Sequence, residues 1–132
     1  MILKISGKEY EVSTNLGTAY DLEKKYNNKI VKILESVEES DTNKILDILF
    51  VGFKRKNKDI TEDEFKELVL SDEKITYLYL IKELTVFCRL CMSINGNELD
   101  IRKDIDELFD ENIMEADNEI KNIKLSDENQ KN

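Results

Sequence analysis

Two cysteines three residues apart, Cys88-Arg89-Leu90-Cys91, are the pair best placed to do chemistry in this chain. On a helix, residues three apart share a face, so both thiols can point the same way. A structural zinc ion needs four ligands, and the sequence has no histidine and no third cysteine. A thioredoxin-type pair needs its first cysteine at a helix start, where the dipole lowers the thiol pKa. These two fall deep inside a long apolar pattern instead. They read as small buried hydrophobes, with a zinc site shared between subunits as the chemical alternative.

Other chemistry is equally bare. Without histidine, the side chain that most often moves protons near neutral pH is missing. No Gly-rich phosphate loop and no nucleophile–base set can be found. The acidic stretch from Asp100 to Glu111 lacks the mid-loop glycine of a calcium loop, and Asp104-Ile105-Asp106-Glu107-Leu108-Phe109 keeps helical apolar spacing. It reads as a solvated helix face. The one basic cluster, Lys54-Arg55-Lys56-Asn57-Lys58, has no interleaved aromatics and sits where a helix should end, so its cations favour the negative end of the dipole. Docking an acidic partner is its minority reading. No catalytic residue, metal ligand or cofactor is expected.

The elements that would position a surface follow from patterning. Ile2-Leu3-Lys4-Ile5 and Glu9-Tyr10-Glu11-Val12 flank Ser6-Gly7-Lys8 and predict a β-hairpin, with Gly7 free to take positive φ. Ser13-Thr14-Asn15 offers capping oxygens ahead of Leu16, Ala19, Tyr20 and Glu23, a helix fading at Asn27-Asn28. Ile30, Ile33, Leu34 and Val37 mark a second short helix. Asp41 caps a third, whose apolar set (Ile45, Leu46, Ile48, Leu49, Phe50, Phe53) is wide enough to be central. Thr61-Glu62-Asp63-Glu64 matches a capping box ahead of Phe65, Leu68 and Val69. The longest periodic run then goes from Ile75 through Leu84 and Cys91 to a stop near Gly96, a helix over about 30 Å long.

From Asn97 the composition shifts: 12 acidic and 5 basic residues carry seven of the nine net negative charges. Ile101, Ile105, Leu108 and Phe109 keep helical spacing, Ile113 and Met114 follow, and the end from Leu125 has nothing to bury. The expectation is a mainly α protein with a small N-terminal β-hairpin, a compact helical domain over 1–96, and an acidic helical extension over 97–132 fraying into a disordered tip. The pattern leaves open whether that extension folds back or projects.

Net charge −9 argues against nucleic acid and anionic membranes as partners. The start, Met1-Ile2-Leu3-Lys4-Ile5, has no long apolar run, and no stretch approaches roughly 18 apolar residues. Neither a signal peptide nor a membrane span is expected, and the cytoplasm is the expected compartment.

The order of features resembles the tail assembly chaperones of long-tailed phages and prophages, especially those of Gram-positive hosts. The resemblance lies in Leu3-Lys4-Ile5-Ser6-Gly7-Lys8-Glu9-Tyr10-Glu11-Val12, in Asn15-Leu16-Gly17-Thr18-Ala19-Tyr20-Asp21-Leu22-Glu23, in Ile48-Leu49-Phe50-Val51-Gly52-Phe53 and in the acidic end. It covers residues 1–95 loosely and the tail in character. It implies a non-catalytic protein that binds the tape-measure protein, with the tail-tube protein a second candidate partner, while the tail assembles. Such a client needs an apolar face to cover its own apolar stripes and a charged exterior to keep the complex in solution. The contact surfaces expected are the hairpin edge (Leu3, Ile5, Tyr10, Val12) and the amphipathic segment carrying Ile101, Ile105, Leu108 and Phe109. Pairing of copies through the hairpin edge is a further expectation. Rival readings are a minor tail or head–tail connector subunit retained in particles, and an acidic regulator that imitates DNA.

Overall fold

The computed structural model describes residues 1–93 and 96–110. The protein is mostly helical, with a two-stranded antiparallel hairpin at its start. Strand β1 (Ile2–Ile5) pairs with β2 (Lys8–Glu11), Ile5 opposite Lys8 and Leu3 opposite Tyr10. Gly7 takes φ 78°, and its neighbour Ser6 is also positive, at φ 53°. Positive φ at both central residues is the pattern of a type I′ turn, whose twist matches the strands it joins.

Five helices follow: α1 (Leu16–Tyr26), α2 (Ile30–Glu35), α3 (Thr42–Lys56), α4 (Glu62–Leu70) and α5 (Tyr77–Met92). A single 3-10 turn, Val37–Glu39, separates α2 from α3. The cap residues explain the starts. Asn15 Oδ1 accepts from the Thr18 amide at 3.0 Å, Asp41 Oδ1 from Lys44 at 2.8 Å, and the Thr76 hydroxyl from Tyr79 at 3.1 Å. Thr61 and Glu64 form both halves of the capping box. Asn27 ends α1 in the left-handed region at φ 48°.

The core is built on α3, which packs against α1, α4, α5 and the hairpin. Ile45, Ile48, Leu49 and Phe53 of α3 are fully buried, as are Leu84 and Phe87 of α5 and Leu22 of α1. Each such side chain contributes about 1.5–3 kcal/mol by leaving water. Aromatic rings join three elements: Phe53 lies 4.4 Å from Phe65 of α4 and 5.5 Å from Tyr10 of β2, centroid to centroid. Gly52 lets the chain entering α1 lie directly on α3, where the Ser13 amide donates to the Gly52 carbonyl at 3.0 Å. A Cβ there would fall 2.6 Å from the Phe87 ring and collide with the Ser13 carbonyl oxygen.

Helix α5 is the longest of the five but shorter than its apolar pattern suggests. Its 16 residues span about 24 Å. The pattern counts Ile75, yet residues 72–76 form a turn in which Asp72 Oδ1 accepts from the Lys74 amide at 2.9 Å. Ile75 reaches the core from that turn. At the other end the helix stops at Ser93, before Gly96.

Residues 98–110 form a further helix, α6, capped by Asn97, whose side chain accepts from the Leu99 and Asp100 amides at 2.9 and 3.3 Å. It lies back against the body through Ile105, which is fully buried, and through the contacts of Arg102 and Glu98 described below. The break at residue 97 is thus one of composition. Ile113, Met114 and the end from Leu125 lie outside the described residues.

Candidate interaction surfaces

The hairpin edge is a surface to which the sequence points. Met1 and Val12 exchange backbone hydrogen bonds at 2.8 and 3.1 Å, so Ile2 and Lys4 direct their own amides and carbonyls away from β2. Three of those four outward groups have partners. The Ile2 amide donates to Glu98 Oε2 at 3.3 Å, and the Ile2 carbonyl accepts from Arg102 Nη2 at 2.8 Å. The Lys4 carbonyl accepts from the Tyr79 hydroxyl at 3.0 Å, and at the strand's end the Ser6 amide donates to Asp72 Oδ2 at 2.7 Å. Side chains of α5, α6 and the α4–α5 turn cover the edge, which is one way proteins keep an edge strand from pairing elsewhere. The expected open edge is therefore corrected for β1. On β2, the Glu11 carbonyl accepts from Asn57 Nδ2 at 2.8 Å.

The side chains expected to meet a partner are largely engaged inside. Leu3, Ile5 and Val12 are buried in the core and Tyr10 is half-buried against Phe53. In a two-sided hairpin the apolar alternation marks the face that packs on the helices, so it identifies core. In α6, Ile105 is likewise buried and Ile101 half-buried, and Phe109 lies under Lys82, whose ammonium sits 5.6 Å from its ring centroid. Of the eight residues, Leu108 alone is exposed.

What fastens α6 is a charged cluster. Arg102 reaches Glu83 with two parallel hydrogen bonds of 2.8 and 2.9 Å and Glu98 with a third of 2.9 Å. Glu83 is only 5% exposed, in the middle of an α5 face that is otherwise apolar. A carboxylate there must find a partner, and that demand was the readable signal for Arg102. Burial alone would raise the pKa of Glu98, but the hydrogen bonds from Arg102 and the Ile2 amide outweigh it and hold the carboxyl below its ordinary range.

The thiols of Cys88 and Cys91 are free, one buried and one half-buried. Desolvation pushes both up, Cys91 to about 12, the opposite of what a nucleophile or metal ligand needs. In the basic cluster, Arg55 bends back to α1: its Nε donates to Asp21 Oδ2 at 2.7 Å, which with the guanidinium's charge holds Asp21 below the usual carboxylate range. The guanidinium lies over Gly17, where any side chain would collide with it. Lys54, Lys56 and Lys58 are left exposed. Among the described residues no three His, Cys, Asp or Glu side chains gather so as to hold a metal ion. Among the same residues no helix is long and apolar enough to cross a membrane.

Two surfaces remain that patterning did not single out. On α1 the buried residues are Thr18, Ala19 and Leu22, so Leu16 and Tyr20, one turn apart, face outward at 84% and 61% exposure. The helical spacing in the sequence groups them with Ala19 and passes over Thr18, which is buried. Its hydroxyl is satisfied in the interior by Ser13 Oγ at 2.8 Å. The second surface is a shallow groove of about 690 Å³ along α4, lined by Ile60, Asp63, Glu64, Glu67, Leu68 and Ser71. No family model, curated protein or solved structure matches this chain.

Proposed function

We propose that the chain is a non-catalytic protein-binding module that acts as a tail assembly chaperone, holding a tape-measure protein while a phage or prophage tail is built. The observation that carries the protein-binding part is the outward pair Leu16 and Tyr20 on α1, in a molecule of net charge −9. Large apolar side chains adjacent on one helix face are costly in water and fit the apolar stripe of a partner helix. Leu99 (77% exposed) and Leu108 add apolar points on α6. The assignment to tail assembly draws on the resemblance of the hairpin, the α1 segment and the α3 segment. The contact surface we propose lies on helices, because the hairpin's apolar side chains are spent on the core.

Co-expression with the longest helical reading frame encoded nearby tests this directly. The expected result is a long protein that stays in solution only with this chain and co-purifies with it, while mass spectrometry of finished particles finds the chain missing. Retention in particles would replace the chaperone with a structural subunit. A long protein that ignores the chain would remove the client.

A further inference from the structure

Helix α4 presents three faces of different chemistry. Phe65 and Val69 point into the core, and on one flank Lys66 pairs with Asp47 at 2.7 Å and with Glu62 at 3.5 Å. The third face looks outward. Along it lie Glu64 and Leu68, one turn apart, with Ile60 in the turn before the helix, Ser71 at its end, and Asp63 and Glu67 beside them. Ile60 and Leu68 pack their inner sides on the core and leave the rest in the groove. Asp63 and Glu67 are exposed and, among the described residues, make no ion pair and no side-chain hydrogen bond. Carboxylates four residues apart on a helix repel each other, and a cation brought between them would relieve that.

We infer that this face docks a partner helix whose apolar ridge is flanked by lysines or arginines. The inference rests on the protein-binding reading above and gives its partner a chemistry. Ile60, in the turn before α4, and Leu68, near the end of the helix, leave two apolar points along the groove that the apolar ridge of a helix laid alongside can cover. The carboxylates beside them select the flanking charge. Nucleic acid and anionic lipid are repelled by the same groups.

The test uses the full chain and two labelled 18-residue peptides sharing a leucine ridge, one flanked by lysines and one by glutamates, read by fluorescence anisotropy at low and high salt. Wild type binds the lysine peptide, more weakly as salt rises, and ignores the glutamate peptide. The variant Asp63→Asn/Glu67→Lys loses about tenfold in affinity, whereas Asp104→Asn/Glu107→Lys, an equal change of charge on α6, shifts it by less than about twofold. All four positions are exposed, so circular dichroism should find both variants folded. Equal losses in the two variants would mean that net charge alone attracts the peptide, and would overturn the site, as would no binding. A wild-type dimer made monomeric by the α4 changes would make a second copy the occupant, through Lys54 to Lys58, and would overturn it too. Client co-purification separates the two claims. If wild type and the α4 variant retain the client equally, the groove fails and the module stands. If wild type retains none, the module reading fails and the peptide result still judges the groove.

Discussion

Where α3 meets α5, hydrocarbon packs on hydrocarbon around Gly52, and nothing at the contact depends on charge. Where α6 meets β1, the contact is made of directed polar bonds: Glu83, Glu98 and Arg102 joined to each other and to the Ile2 backbone. The first kind of contact is strong and non-directional, and tolerates any side chain of suitable shape. The second contributes less net energy but fixes one register, because a shift of one residue would leave a buried carboxylate without its partner. The centre of the protein is held by volume and its margin by geometry.

Adding one methyl group at Gly52 should therefore break the molecule more thoroughly than removing a whole charge from the margin. Gly52→Ala is expected to cost about 3 kcal/mol or more, since neither the Ser13 backbone nor the Phe87 ring has room to retreat. Urea denaturation measures it, and a near-neutral result would mean that α3 and the start of α1 are not in contact.

Next in size is Arg102→Met. Leaving Glu83 buried and alone should cost about 2 kcal/mol, the partial exposure of Arg102 lowering it from the cost of a fully buried pair. Adding Glu83→Leu should restore most of that loss, because the orphaned charge goes with it. If the double variant is no better than the single one, α6 is not held by this pair.

Acid sharpens the contrast further. The Glu98 and Asp72 carboxyls both have pKa values lowered in the fold, Asp72 by the amides of Ser6 and Lys74. A carboxylate with a lowered pKa stabilises the fold above its unfolded pKa, and that contribution disappears as pH falls through the folded value. Below the ordinary carboxylate range, about pH 4, the amides of Ile2 and Ser6 should lose hydrogen-exchange protection while those of α3 keep theirs. Simultaneous loss everywhere would show a single cooperative unit instead.

The smallest effect belongs to the apolar side and has the opposite sign. The Tyr26 hydroxyl is buried with no hydrogen-bond partner among the described residues, and burial pushes its pKa up to about 12. Tyr26→Phe should stabilise the protein by about 0.5–1 kcal/mol in thermal denaturation, since an orphaned donor is removed. Destabilisation would point to a partner for that hydroxyl.

Much of this architecture is legible in the amino-acid order, because caps and periodicity act locally. Asn15, Asp41 and the Thr61–Glu64 box sit where the helices begin, and Gly7 marks the hairpin turn. The width of the apolar set on α3 announces its central place. Those signals need only neighbouring residues and water.

The surfaces were not legible in the same way. Alternation in the hairpin shows that one face is apolar, but whether that face meets a core or a partner depends on what the helices bring against it. Leu16 and Tyr20 lie outside because Ser13, distant by a turn, satisfies Thr18 inside. The fate of the β1 edge was decided by Glu98 and Arg102, nearly a hundred residues away along the chain. Sequence by itself determined the elements and most of their ends, those of α5 excepted, through hydrogen bonds and hydrophobic faces within a few residues. Tertiary structure alone decided which apolar and polar groups stayed free, because burial and pairing are settled by residues far apart in sequence that compete for the same contacts.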